Sequence, residues 1–270
     1  MRRQVWFWAI AGTLCTLAAA RGTAIRPGFD TTLLPHSDEA WSDLTPLGFT
    51  LDFFGTSYTR LYVNTNGNVT FKDPSYVFVP FNLTTKLGIP MLAPFFADVD
   101  TRAASSGVVR YGSGTVDGRN AFGASWIDVG YFFKHADKLN SFQLVLIDRS
   151  DRHPGDVDVE FNYDRNVWES GDWSTGSANG LGGLSARVGY TNGTGEAGTL
   201  FELAGSGVAG AFLDGNPTGL IHQSLNSTVA GRYVFSIGQE PLATIPAPAA
   251  LVLGGIGAAL VRGLRRRRMF

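Results

Sequence analysis

The sequence predicts an all-β chain folded as an antiparallel β-sandwich with long surface loops. Between the two ends helical periodicity is nearly absent, and short runs of β-branched and aromatic residues recur every ten to twenty residues. The 34 glycines supply turns between those runs. Strands are expected at 49–53, 60–64, 69–71, 92–96, 108–111, 121–132, 142–147, 157–163, 184–190 and 233–237. The sharpest local signal is Asn66-Gly67, which suits the two positive-φ positions of a type I′ hairpin turn between alternating flanks. Residues 166–183, rich in Gly, Ser and Asn and holding Trp168 and Trp173, read as a long surface loop because strand-like sequence resumes on both sides. Two packed sheets are the economical arrangement for so many short strands, and 25–240 is expected to form one domain.

The ends differ in kind and are expected to form short apolar helices. At the N-terminus, Met1-Arg2-Arg3 is a positive start, 5–17 an apolar core and Ala18-Ala19-Ala20 a small-residue cleavage site, so 1–20 reads as a signal peptide; Ala24 is an alternative cut. At the other end, 245–268 joins a stiff Pro246-Ala247-Pro248 entry to an uncharged run at 249–261. Five arginines follow: Arg262, Arg265, Arg266, Arg267 and Arg268. Thirteen residues of helix rise only about 20 Å, short of the ~30 Å hydrocarbon core. The segment can enter a bilayer with its arginines on the cytoplasmic side, as a hold for sorting more than as a permanent anchor.

The only cysteine, Cys15, falls inside the signal segment, so a cleaved chain has no disulfide and no thiolate site. From 21 to 245 there are 15 basic against 23 acidic residues, a balance of −8 hidden by the near-neutral total. That acidity argues against nucleic acid as a partner, because phosphate binding needs clustered Lys and Arg.

Carboxylates are the constellation with chemical potential. Asp98 and Asp100 lie two apart after an apolar run, and Asp148, Asp151, Asp156, Asp158 and Glu160 gather around a His-Pro-Gly turn. Residues two apart share a strand face, so Asp98 and Asp100 are candidate Ca2+ ligands, the alternative being that they cap turns. No EF-hand spacing accompanies them. A glycosidase would need two such groups meeting across a cleft. No serine elbow exists; His153-Pro154-Gly155 is turn-like, and none of His36, His135 and His222 has an acidic partner at a telling spacing. Trp168 and Trp173 are a candidate aromatic platform for sugar, or a cover folded over a core edge.

Several blocks resemble the nidogen-like (NIDO) domain in order. They are Leu61-Tyr-Val-Asn-Thr-Asn-Gly-Asn-Val-Thr-Phe71, then Ile89-Pro-Met-Leu-Ala-Pro-Phe-Phe-Ala-Asp-Val-Asp-Thr-Arg102, and Gly107-Val-Val-Arg-Tyr111. Trp126-Ile-Asp-Val-Gly130, Asn140-Ser-Phe-Gln-Leu-Val-Leu-Ile147, Asp158-Val-Glu-Phe-Asn-Tyr163, Ser185-Ala-Arg-Val-Gly-Tyr190 and Gly231-Arg-Tyr-Val-Phe235 follow; Phe96 stands where the family often has Trp. The resemblance implies a non-catalytic extracellular adhesion module, without cofactor, contacting matrix polymer or a surface protein. The tail is similar to the PEP-CTERM sorting signal of biofilm-forming bacteria, with Ala247 in place of its Glu. That likeness implies processing by an exosortase-type enzyme and delivery to the cell surface. A carbohydrate-binding module is the alternative function.

Overall fold

The computed structural model describes residues 23–176 and 179–238; the segments expected to be a signal peptide and a sorting tail, with Pro246, Pro248, Arg265, Arg266, Arg267 and Arg268, lie outside the described residues. Among the described residues no helix is long and apolar enough to cross a membrane. The strands are β1 (Thr32–Leu33), β2 (Thr45–Asp52), β3 (Ser57–Asn64), β4 (Asn68–Thr70), β5 (Met91–Phe96), β6 (Val99–Asp100) and β7 (Val109–Val116). They continue as β8 (Arg119–Tyr131), β9 (His135–Asp148), β10 (Val157–Arg165), β11 (Arg187–Thr191), β12 (Leu200–Glu202) and β13 (Arg232–Ile237). One 3-10 turn, Asp172–Ser174, interrupts the loop between β10 and β11.

These strands form two antiparallel sheets. One runs β1-β7-β8-β9-β10-β13 with β6 beside β8; the other runs β12-β11-β5-β4-β3-β2. Alternation explains how they meet. Along β10, Val157, Val159, Phe161 and Tyr163 share one face and are buried in the main core with Phe142, Leu144 and Leu146 of β9. Leu61, Val63, Leu92 and Phe95 enter the same core from the opposite sheet. Phe95 and Phe142 meet across it at 5.1 Å between ring centroids, and Trp126 stacks on Phe142 at 5.2 Å. Two hydrogen bonds lock the layers: Tyr163 Oη donates to the Pro94 carbonyl (2.5 Å) and Trp126 Nε1 to the Thr65 carbonyl (2.9 Å).

β5 is buried on both faces, which accounts for its uninterrupted apolar sequence. Its outward residues Met91, Ala93 and Phe96 pack with Leu83 beneath the preceding loop. Similarly, Phe29 covers Val116, Ala121, Val145 and Ile147 on the outer face of the first sheet. The N-terminal segment is thus part of the domain.

The β3–β4 turn departs from the expected type I′ geometry. Asn64 pairs with Asn68 across three residues, and only Gly67 has positive φ (+69°). The reason is tertiary. A Cβ on Gly67 would sit 1.8 Å from the Phe95 carbonyl oxygen, and Asn66 turns its side chain to accept the Val99 N–H (3.0 Å) instead of serving the turn.

Candidate functional site

The chain enters and leaves the β5–β6 corner through Ala97, Asp98 and Val99, and Asn66 braces that corner on both sides. Its carbonyl accepts the Ala97 N–H (3.4 Å) while its Oδ1 takes the Val99 N–H. Asp98 is consequently turned inward and fully buried. The N-terminal segment reaches the same corner. Thr101 exchanges backbone and side-chain hydrogen bonds with Ser37 (2.8–2.9 Å), and the His36 ring bonds the Thr101 carbonyl, bringing Asp38 and Glu39 alongside.

One ligand oxygen each from Asp38, Glu39 and Asp98 then lies within 4.8 Å of the others. Neither oxygen of Asp98 has a hydrogen-bond partner, nor does Oδ1 of Asp38. Burial, with the charges of Asp38, Glu39 and Asp100 behind it, pushes the Asp98 carboxyl up to about 8; the nearby Ser174 hydroxyl tempers the rise without reaching hydrogen-bond geometry. Asp38 is pushed up to about 7 by burial and by Asp100 and Glu39, against the pull of Arg102.

Asp100 behaves differently from its expected partner. It is buried too, which raises it, but Arg102 grips it through Nε (2.9 Å) and Nη2 (2.6 Å), and the Arg102 and Lys134 N–H groups add two more bonds. Together they hold the carboxyl below its ordinary range. The expected Asp98/Asp100 pair is therefore divided. Asp100 is occupied by a guanidinium, whereas Asp98 faces Asp38 and Glu39.

Beside this corner stands an exposed aromatic cluster. At the β8–β9 turn Phe132 is half-buried and Phe133 is 70 % exposed; Trp173, in the 3-10 turn, is 68 % exposed. The Phe132 ring meets Phe133 at 5.8 Å and Trp173 at 6.4 Å. Phe133 (φ +75°) and Lys134 (φ +60°) are consecutive non-glycine residues in the left-handed region, a costly conformation for a bulky side chain. Phe132 N–H to the Asp98 carbonyl (3.0 Å) and Lys134 N–H to Asp100 Oδ2 (2.8 Å) hold it. His135 stacks on Tyr131 at 4.8 Å and reaches Asp172 at 3.3 Å, tying the hairpin tip to the Trp173 turn.

Trp168 corrects the sequence expectation of a two-tryptophan platform. It is fully buried, edge-on to Phe95 at 5.7 Å, with Nε1 donating to the Val129 carbonyl (3.0 Å). Asn140 clamps its backbone by accepting the Val167 and Trp168 N–H groups and donating to the Trp168 carbonyl. Trp168 is a core residue, and Trp173's aromatic neighbour is Phe132. The acidic group at 148–160 is also accounted for: Asp148 accepts the Ser150 N–H, Asp151 engages Arg119 and Arg149, Asp156 lies 3.8 Å from Arg152, Asp158 engages Arg149 and Arg152, and Glu160 engages Arg26. Asp38, Glu39 and Phe133 went unread in the sequence because their significance depends on which segments fold together.

Two antiparallel sheets over one aromatic core, with an exposed, braced aromatic turn between β8 and β9, define an all-β domain. The chain belongs to the nidogen-like domain family, whose model matches residues 59–239. Nidogen of Drosophila melanogaster is 29 % identical over 232 residues, covering 76 % of this chain and 16 % of that protein. Alpha-tectorin of Mus musculus is 28 % identical over 231 residues, 77 % of this chain and 10 % of that protein. Nidogen-2 of Mus musculus is 31 % identical over 153 residues, 45 % of this chain and 11 % of that protein. The matched region spans 16 % or less of the length of each of these relatives. No solved structure matches the chain significantly.

Proposed function

We propose that the protein is an exported, non-catalytic adhesion module that holds matrix polymer or a surface protein through Phe132, Phe133 and Trp173. Family membership supports an adhesive role, and the observation that carries the choice of surface is the pair of left-handed residues holding Phe133 outward. Backbone strain of this kind costs about 1–3 kcal/mol per residue and persists where the surroundings over-determine it, commonly at ligand clamps. Exposed aromatics of this size serve as binding hot spots. The test is retention of the purified full chain on extracellular matrix from the producing cells. A Phe133→Ser, Trp173→Ala double variant is expected to bind about tenfold more weakly, ~1.4 kcal/mol, with an unchanged melting temperature. Retention equal to the parent protein overturns the assignment of this surface.

A carbohydrate ligand is the second reading, favoured by the exposed indole of Trp173, which is free to stack on a sugar face. A glycan array separates the two, since sugar binding lost in Trp173→Ala selects the second. In the first reading 1–20 directs export and 245–268 holds the chain at the inner membrane until an exosortase-type enzyme acts. Mass spectrometry of the mature C-terminus checks it, because an intact run of Arg265, Arg266, Arg267 and Arg268 would make the tail an anchor.

A further inference from the structure

We infer that Asp38, Glu39 and Asp98 form a calcium site that ties the N-terminal segment to the β5–β6 corner and to the turn carrying Trp173. Three observations carry it. The donor set is all oxygen, the chemistry that suits a hard cation over zinc or copper. Its oxygens lie within 4.8 Å of one another, a separation that oxygens on opposite sides of one Ca2+, each ~2.3–2.6 Å away, can span.

The second observation is Asp98 itself. A fully buried carboxyl with both oxygens unpartnered is costly to keep, whether charged or neutral, because even a neutral polar group loses its hydrogen bonds to water. Elsewhere among the described residues buried acids are given partners: Glu160 has Arg26, Asp100 has Arg102, and Glu169, without a cation, accepts the Gly210 N–H. Asp98 faces two further carboxylates instead. Asp38 contributes a second unpartnered oxygen, its Oδ1, while Arg102 holds its Oδ2 at 2.7 Å. Arg102 therefore orients two acids and neutralises one charge among four, Asp38, Glu39, Asp98 and Asp100.

The third observation is the loop above. Gly171 lies so close that a Cβ there would stand 2.3 Å from Asp98 Oδ2. The unpartnered Ser174 hydroxyl lies near the same carboxyl, and Trp173 sits between Gly171 and Ser174. An ion among the carboxylates would thus brace the turn that displays Trp173, with backbone and water completing its shell.

The experiment is calorimetric titration of CaCl2 into the chelator-stripped full chain, with MgCl2 as a parallel arm. We expect one saturable calcium site, a melting temperature that rises with calcium concentration and a change in Trp173 fluorescence, judged against Trp173→Phe. Asp98→Asn should abolish binding. If that variant does not fold, Glu39→Gln, at a partly exposed position, should weaken binding about tenfold or more. Absence of heat together with an unmoved melting temperature overturns the site. So does calcium binding that survives a folded Asp98→Asn or is unchanged in Glu39→Gln, and tighter binding of magnesium overturns the assignment to calcium. Failure of the site leaves the retention surface standing, because that assignment rests on Phe132, Phe133 and Trp173 and none of them is a ligand of the ion.

Discussion

Two tryptophans five residues apart show how differently one residue type can be employed. Trp168 is enclosed by Phe95 and Tyr131 and clamped by Asn140, so Trp168→Ala leaves a cavity the rigid clamp cannot collapse. The expected loss is ~3–5 kcal/mol of stability. Trp173→Ala removes an exposed ring and should change stability by about 0.5 kcal/mol or less. Urea denaturation of the two single variants checks the contrast, and similar losses at both positions would contradict it. Nothing local in the sequence separates them. Asn140, the residue that fixes Trp168, is 28 positions away and belongs to β9, whereas Trp168 lies in the loop after β10.

At the scale of elements, the long strands were legible, and so was short β4, through the Asn-Gly hairpin that joins it to β3, whereas the other short strands were not. All ten expected segments contain or overlap observed strands, because alternation over five or more residues or a dense apolar run announces itself. β1, β6 and β12 are two or three residues long and carry no period to read. β9 begins at His135, well before its apolar stretch, because its polar start pairs with the end of β8 at the projecting tip. That tip invites a direct test. Replacing Phe133-Lys134 by Asn-Gly, residues that accept positive φ, should raise stability by about 1 kcal/mol while removing the exposed ring. Equilibrium denaturation reads the first effect and matrix retention the second. A less stable variant would mean that the turn is not strained in the way its backbone implies.

For the whole molecule, the aromatic core links stability to alkaline pH. Burial pushes the Tyr190 and Tyr233 phenols up to about 12 and Tyr163 well above its ordinary value. The unfolded chain ionises its phenols near ~10. Below that pH the folded state keeps its full stability. As pH rises through about 12 the unfolded state has lost protons that the folded state retains, and stability falls. Denaturant midpoints should therefore be insensitive to these groups up to about pH 10 and decline beyond it. Phenolate absorbance for the buried tyrosines should appear only with unfolding. The two sheets also end in margins poorly suited to recruiting another strand. β1 and β12 are very short, β2 carries Pro46 beside an irregularity in its pairing with β3, and Leu225 bonds along β13. A long open strand edge would template pairing with a neighbouring chain. With its margins curtailed in this way, neighbouring copies find no long open edge along which to zip into fibrils, even at high local concentration.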